Sequence, residues 1–230
     1  MVYAFLVVGL LVSASFIIVR DKNGGAVPLF LKTFSSILFL LVCALGYLTN
    51  PNPDAIPKAY FVFMIIGMSF ALIGDILLDL KITYPQDNDT YTYGGMSAFA
   101  CCHIFYYMAT LKKFDFNFIP LVVAVASAIA MMLVVKYVMK LKLGKFVWIS
   151  LIYSGCLALT FFQTCFIAYK LHFNAYSIVF AIGALLFLLS DVILSMTYFD
   201  GKDSKIYIVI NHSLYYCGQF LIALSMFLLV

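Results

Sequence analysis

Apolar residues in this chain fall into eight continuous runs, each closed by a short polar break. The runs cover residues 2–19, 28–47, 59–80, 95–111, 116–135, 146–169, 175–199 and 206–230. A helix that crosses a bilayer needs roughly 20 apolar residues, with a range of about 17 to 25. Pro28 suits the first turn of a helix. Asn50-Pro51-Asn52-Pro53-Asp54 and Asp200-Gly201-Lys202-Asp203 are turn formers between runs. Within the runs apolar and polar residues do not alternate, which argues against a β-barrel. The pattern predicts an all-α, polytopic membrane helix bundle with about eight transmembrane helices. It forms one domain over 1–230, because no hydrophilic stretch is long enough for a second.

Composition agrees. The chain is 65% hydrophobic and 10% charged, with a mean hydropathy of +1.08, whereas a soluble domain is nearer half apolar and a quarter charged. The net charge of +4 is spread over short loops, so no nucleic-acid partner is expected. The first run has no basic residues ahead of it, and Arg20 and Lys22 follow it, so it reads as a retained helix rather than a signal peptide. Cys43, Cys101, Cys102, Cys156, Cys165 and Cys217 all lie in apolar runs with no C-x-x-C pair. They read as small buried hydrophobes.

Two polar residues stand out against this background. Asp75 lies in Phe70-Ala71-Leu72-Ile73-Gly74-Asp75-Ile76-Leu77-Leu78, and Asp191 in Phe187-Leu188-Leu189-Ser190-Asp191-Val192-Ile193-Leu194. A carboxylate at bilayer depth is costly and is a functional hypothesis by default. The following run in each half carries a related phrase, His103-Ile104-Phe105-Tyr106-Tyr107 and His212-Ser213-Leu214-Tyr215-Tyr216. Together these suggest two pseudo-repeated four-helix halves.

Loop charge predicts the orientation. Loops after the odd-numbered runs hold Arg20, Lys22, Lys81, Lys136, Lys140, Lys142, Lys145, Lys202 and Lys205. Loops after the even-numbered runs hold only Lys58, Lys112, Lys113 and Lys170. The excess puts the odd loops in the cytoplasm and both termini on the other side. Asp75 and Asp191 then lie about 25 Å along their helices, near the inner edge of the apolar layer. His103 and His212 are expected at the same depth, about two turns into their helices, with Lys32 beside them. The third and seventh runs point the same way, so the repeat axis would lie along the membrane normal.

Spacing adds neighbours to this level. Asp75 and Asp79 stand at i, i+4. His212, Tyr216 and Gln219 form one stripe, and Phe99, His103 and Tyr107 another. Gly67, Gly74, Gly94, Gly95, Gly183, Ala184 and Gly218 are read as packing positions. Plainer roles exist for several residues. Asp79, Lys32 and above all Lys81 could snorkel to water, and the histidines could join helices by hydrogen bonds. Tyr47, Tyr84, Tyr91, Tyr93 and Trp148 are read as interfacial aromatics.

Particular phrases carry a family likeness. They are Gly74-Asp75-Ile76-Leu77-Leu78; Gly95 with Phe99 and His103-x-x-Tyr106; Gly183-Ala184-Leu185-Leu186-Phe187-x-x-Ser190-Asp191; and Tyr216-x-x-Gln219. With eight helices in 230 residues, the chain resembles the YhhN family of membrane proteins, which includes the lysoplasmalogenases. The resemblance covers nearly the whole chain. It implies hydrolysis of the vinyl ether bond of a lysoplasmalogen to a fatty aldehyde and glycerophosphoethanolamine or glycerophosphocholine. The implied partners are a lysophospholipid substrate and membrane lipid, and no metal or other cofactor is implied. The implied location is a bacterial inner membrane or the endoplasmic reticulum. Lys32 precedes Thr33 here, where the family commonly has proline. The inclusion of His212 rests on the internal repeat.

The residues suit that chemistry. A vinyl ether is cleaved by protonation at carbon, addition of water to the oxocarbenium ion, and collapse of the hemiacetal. The reaction needs an acid that keeps its proton near neutral pH and a negative charge beside the cation. Two carboxyls in low dielectric can divide these roles. Asp75 and Asp191 are the candidate acid and base. Tyr106, Tyr107, Tyr216, Ser190, His103, His212, Asp79 and Gln219 are candidates to orient water and the glycerol part, and Lys32 to attract phosphate. Two rival readings use the same residues. One is a transporter or lipid-binding protein whose aspartates couple to protons or cations. The other is a zinc hydrolase built on His103, His212, Asp75 and Asp191.

Overall fold

The computed structural model describes residues 1–20, 24–201 and 204–229. Lys22, Lys202 and Asp203, counted among loop charges and turn formers above, lie outside the described residues, as does Val230 at the expected end of the last helix. Eight helices follow in chain order: α1 Val2–Val19, α2 Ala26–Leu48, α3 Lys58–Thr83, α4 Asn88–Thr110, α5 Phe118–Leu133, α6 Val147–Lys170, α7 Ala175–Phe199 and α8 Lys205–Leu228. A π-helical turn, Val134–Val138, extends α5. No strand occurs among the described residues. The chain is a polytopic helical bundle.

Local chemistry sets the helix starts. Asn117 accepts a hydrogen bond from the Ile119 amide at 2.8 Å, and Asn174 one from the Ser177 amide at 3.0 Å. Each satisfies a backbone donor that a helix N-terminus would otherwise leave free. Gly24, at φ +68°, makes the turn into α2 in a conformation that favours glycine.

Among the described residues seven helices are long and apolar enough to cross a membrane, and α4 is the exception. It starts at Asn88, well before the expected residue 95, and its first two turns hold Asn88, Asp89, Thr90, Thr92 and Tyr93. It packs between α3 and α6. Its first turn, Asn88, Asp89 and Thr90, is exposed, and Thr92 is its first buried residue.

The two halves are related by a constant shift. Tyr60 and Tyr176, 116 positions apart, share a hydrogen bond of 2.9 Å between their hydroxyls. The same shift relates Gly67, against Cys102 and Tyr106, to Gly183, against Gly218 and Ile222. It relates Gly74, beside Gly95, to Ser190, whose carbonyl accepts from Asn211 at 2.7 Å. It relates Phe99 to Tyr215, whose rings meet at 5.9 Å. It also relates Asp75 to Asp191. The pairs Tyr60–Tyr176 and Phe99–Tyr215 touch their own counterparts, as residues beside a two-fold axis do. The helix pairings follow: α2 meets α8 as α6 meets α4, and α2 meets α3 as α6 meets α7.

This shift corrects the repeat read from sequence. His103 corresponds to Gln219, and His212 to Met96, so the two histidine phrases are two turns out of step. Because α4 starts early, His103 lies about four turns into its helix and His212 about two. They are not at one depth.

Close backbone approach makes the glycines testable. A Cβ on Gly183 would sit 2.9 Å from the Gly218 carbonyl oxygen and 3.0 Å from the Ile222 nitrogen. Backbone cannot step aside cheaply. Gly183→Ala is expected to cost about 1–3 kcal/mol of stability. Gly155→Ala, whose Cβ would first meet Ala128 at an ordinary 3.7 Å, is the control and should be near neutral. Thermal unfolding in detergent measures both.

Candidate active site: two adjoining chambers

The odd-loop end of the bundle opens into a polar chamber of about 750 Å³. Its walls include Arg20 from the end of α1, Lys32 from α2, Asp79 and Lys81 from α3, Lys142 and Lys145 from the α5–α6 connection, and Asn211 and His212 from α8. Arg20, Lys32, Asp79 and Lys81 are buried. Lys32 reaches Asp79 at 3.9 Å, and Arg20 Nε reaches it at 3.4 Å. Lys81 stands over the ring of Tyr198, 2.9 Å from its centroid. Expected to snorkel, Lys81 instead points inward, because Tyr198 offers it an aromatic face.

Asp75 lies beside this chamber without lining it. Its carboxylate takes Lys32 Nζ at 3.6 Å and accepts hydrogen bonds from Ser36 Oγ and the Tyr215 hydroxyl, each at 2.6 Å. A cation and two hydroxyl donors thus converge on one carboxyl. Ser36 is one turn from Lys32 on α2, so a single helix face supplies two of the three partners.

A second cavity, of about 340 Å³, adjoins the first. It is lined mainly by apolar side chains, among them Met131, Met132, Leu157 and Phe161, and Asp191 is the carboxylate on its wall. The Tyr153 hydroxyl donates a hydrogen bond to Asp191. Leu78, Leu143, Leu194, Tyr198 and Phe199 line both cavities and form a common wall.

Asp75 and Asp191, read from the sequence as the acid and base of one site, therefore do not share a cavity. Aromatic rings fill the axis between them. Tyr215, on Asp75, packs against Phe187 at 5.2 Å and Phe99 at 5.9 Å, and Phe99 packs against Tyr153, on Asp191, at 6.3 Å. The pseudo-repeat supplies two like backbones but unlike surroundings. Lys32 and Ser36 serve Asp75 from α2, and Tyr153 serves Asp191 from the corresponding α6.

The remaining candidates divide. Lys32, Asp75 and Asp79 come together, and His212 lines the polar chamber with its ring 5.0 Å from Phe16 and its Nδ1 2.8 Å from the Ile208 carbonyl. Tyr216 donates to the Lys32 carbonyl at 3.4 Å. Ser190 precedes Asp191 and bonds to the Phe187 carbonyl at 2.7 Å. Tyr106 and Gln219 pair with each other at 2.9 Å. His103 meets Thr160 at 3.2 Å and packs on Phe187. Tyr106, Tyr107, Gln219 and His103 line neither cavity. Among the described residues no three His, Cys, Asp or Glu side chains gather as a metal site. His103 and His212 stand in different layers, which removes the geometry the zinc reading needs. Arg20, Ser36, Tyr153, Tyr198 and Tyr215 were missed as site residues. The Gly67–Asp75 and Gly183–Asp191 spacing, equal in the two halves, was the signal that would have set the repeat in register and pointed to Tyr215.

Fold and site together define a polytopic helical membrane protein with a cationic chamber and an apolar cavity side by side. The YhhN family model matches residues 27–226, and the chain belongs to the YhhN family. No curated protein and no solved structure matches it.

Proposed function

We propose that this protein is a membrane-embedded hydrolase that cleaves the vinyl ether bond of lysoplasmalogens, releasing a fatty aldehyde and glycerophosphoethanolamine or glycerophosphocholine. One observation carries the reading: a cationic chamber and an apolar cavity share a wall, and a carboxyl stands on the apolar side of it. A single-chain lysolipid has the same division. Its charged head suits the first space and its hydrocarbon chain the second. The vinyl ether, which joins glycerol to chain, would then cross at Leu78, Leu194 and Tyr198, near Asp191. Family membership is consistent with a hydrolase.

The surroundings of the two carboxyls support different roles. Asp75, with Lys32, Ser36 and Tyr215, is the ionised partner. It holds Lys32 at the polar chamber, and the negative charge beside the oxocarbenium ion is the Asp191 carboxylate left by its own proton transfer. Asp191 has the apolar cavity and the Tyr153 hydroxyl, and it is the acid. It gives its proton to the vinyl carbon remote from oxygen. Water adds to the oxocarbenium carbon while the Asp191 carboxylate takes a proton back. The hemiacetal then collapses, and the C–O bond to glycerol breaks. Carboxyl-assisted glycoside cleavage passes through a similar cation. The chamber mouth faces the cytoplasm, as the loop charge implies, in a bacterial inner membrane or the endoplasmic reticulum.

The test is a panel of lysolipids with vinyl-ether, alkyl-ether and acyl linkages, incubated with purified protein. Aldehyde from the vinyl ether alone is the expected result. Cleavage of the acyl lipid alone, or of none, would contradict it. Lipid flux across proteoliposomes without any product would favour the transporter reading.

A further inference from the structure

Three buried cations from three successive elements point into one chamber. Arg20 and Lys32 are each 5% exposed, and Lys81 is 8% exposed. Of the buried residues lining that chamber, Asp79 alone is a carboxylate, and it already meets Lys32 and Arg20. Among the described residues Lys81 has no ion-pair partner, only the Tyr198 face. A buried ammonium without a counter-charge is costly; with Asp79 beside Arg20 and Asp75 beside Lys32, Lys81 is the cation the chamber leaves uncompensated among the described residues. Lys142 and Lys145 add positive charge to its lining, and Asp89 offsets Lys145 in an exposed pair. Such a mouth draws anions inward.

The geometry points to Arg20, Lys32 and Lys81 as a clamp for a phosphate ester, and we propose that its ligand is the phosphodiester head group of a single-chain lipid. An ester phosphate spreads its charge over several oxygens, which suits cations approaching from separate helices, and a guanidinium with two ammoniums supplies donors of both kinds. A chamber of about 750 Å³ has room for a glycerophospho head group. The wall shared with the apolar cavity lets a chain leave the head group without entering water. The lipid's identity rests on the proposed function; the phosphate recognition rests on the chamber.

The test uses the full-length protein in nanodiscs and ligands that it cannot cleave as a vinyl ether. They are a saturated alkyl-ether lysophosphocholine, the matching monoalkylglycerol without phosphate, glycerophosphocholine without a chain, and inorganic phosphate. Displacement of a labelled alkyl-ether lysophosphocholine reads binding. Wild type should prefer the phospholipid to the monoalkylglycerol by about tenfold or more, as charge-assisted hydrogen bonds allow. Lys81→Gln should remove most of that preference and leave monoalkylglycerol binding within about twofold. It orphans no carboxylate, so it is the variant least exposed to misfolding. Arg20→Lys, which keeps the charge on Asp79 but loses the fork, should weaken the preference less.

Glycerophosphocholine or phosphate binding as tightly as the lipid would support the clamp and make a soluble ester its ligand. A wild type indifferent to the phosphate, or a Lys81→Gln protein that binds every ligand like wild type, would overturn it. Protein that shows the preference yet releases no aldehyde from lysoplasmalogen keeps the clamp and loses the hydrolase reading.

Discussion

Asp191→Asn should lower aldehyde release from lysoplasmalogen by about 10²- to 10⁴-fold, the usual range for loss of a positioned general acid. The amide has nearly the shape of the acid. It can still accept the Tyr153 hydroxyl, so the cavity wall should survive. An amide has no proton to give to carbon, however. The loss should therefore fall on kcat, with binding of an alkyl-ether lysolipid close to wild type. The measurement is aldehyde formed per minute by purified variant and parent, beside thermal unfolding of each. Undiminished turnover would remove Asp191 from the mechanism.

Lys32→Met should be among the most destabilising single changes in the bundle. Lys32 lies between Asp75 and Asp79, at 3.6 and 3.9 Å, in a setting almost closed to water. Removing one partner of a buried ion pair leaves the other charge uncompensated, at a cost of about 3–5 kcal/mol. Arg20 stays with Asp79, so Asp75 bears most of the loss. The double variant Lys32→Met/Asp75→Asn should recover a large part of the stability, because it removes the orphaned charge. Neither should recover activity. Unfolding in detergent across the single variants and the double gives the coupling energy. A Lys32→Met protein as stable as its parent would show that Asp75 is not held as an ion pair.

Much of the bundle was legible because lipid imposes a simple rule on sequence: long apolar runs with polar ends. The limits of α1 and α7 agree with the expected runs to the residue. The start of α4 was not legible. Asn88 to Gly94 are too polar to read as membrane helix, and Asn88, Asp89 and Thr90 form an exposed first turn ahead of the buried part of α4. That single error moved His103 by two turns and made the two histidines look equivalent.

The site was legible as chemistry more than as geometry. Asp75, Lys32 and Asp79, which are buried, and Asp191, which is half-buried, stand out from a chain with few charges, since each lies within an apolar helix. Their partners do not stand out. Ser36, Tyr153 and Tyr215 are ordinary residues of apolar helices until packing brings them to a carboxylate. The separation of the two carboxyls was also hidden, because it depends on how Phe99, Phe187 and Tyr215 fill the pseudo-two-fold axis. Lys81 was misread for a related reason: its position near a helix end suggests water, and Tyr198, far away in sequence, turns it inward.

An experimental structure of the protein with a saturated alkyl-ether lysophospholipid bound would test the central claim most directly. The phosphate should lie among Arg20, Lys32 and Lys81, the chain in the cavity lined by Met131 and Phe161, and the second chain carbon from the ether oxygen within about 3–4 Å of the Asp191 carboxyl. A lipid seated in another groove, with Asp191 facing none of its atoms, would contradict the account.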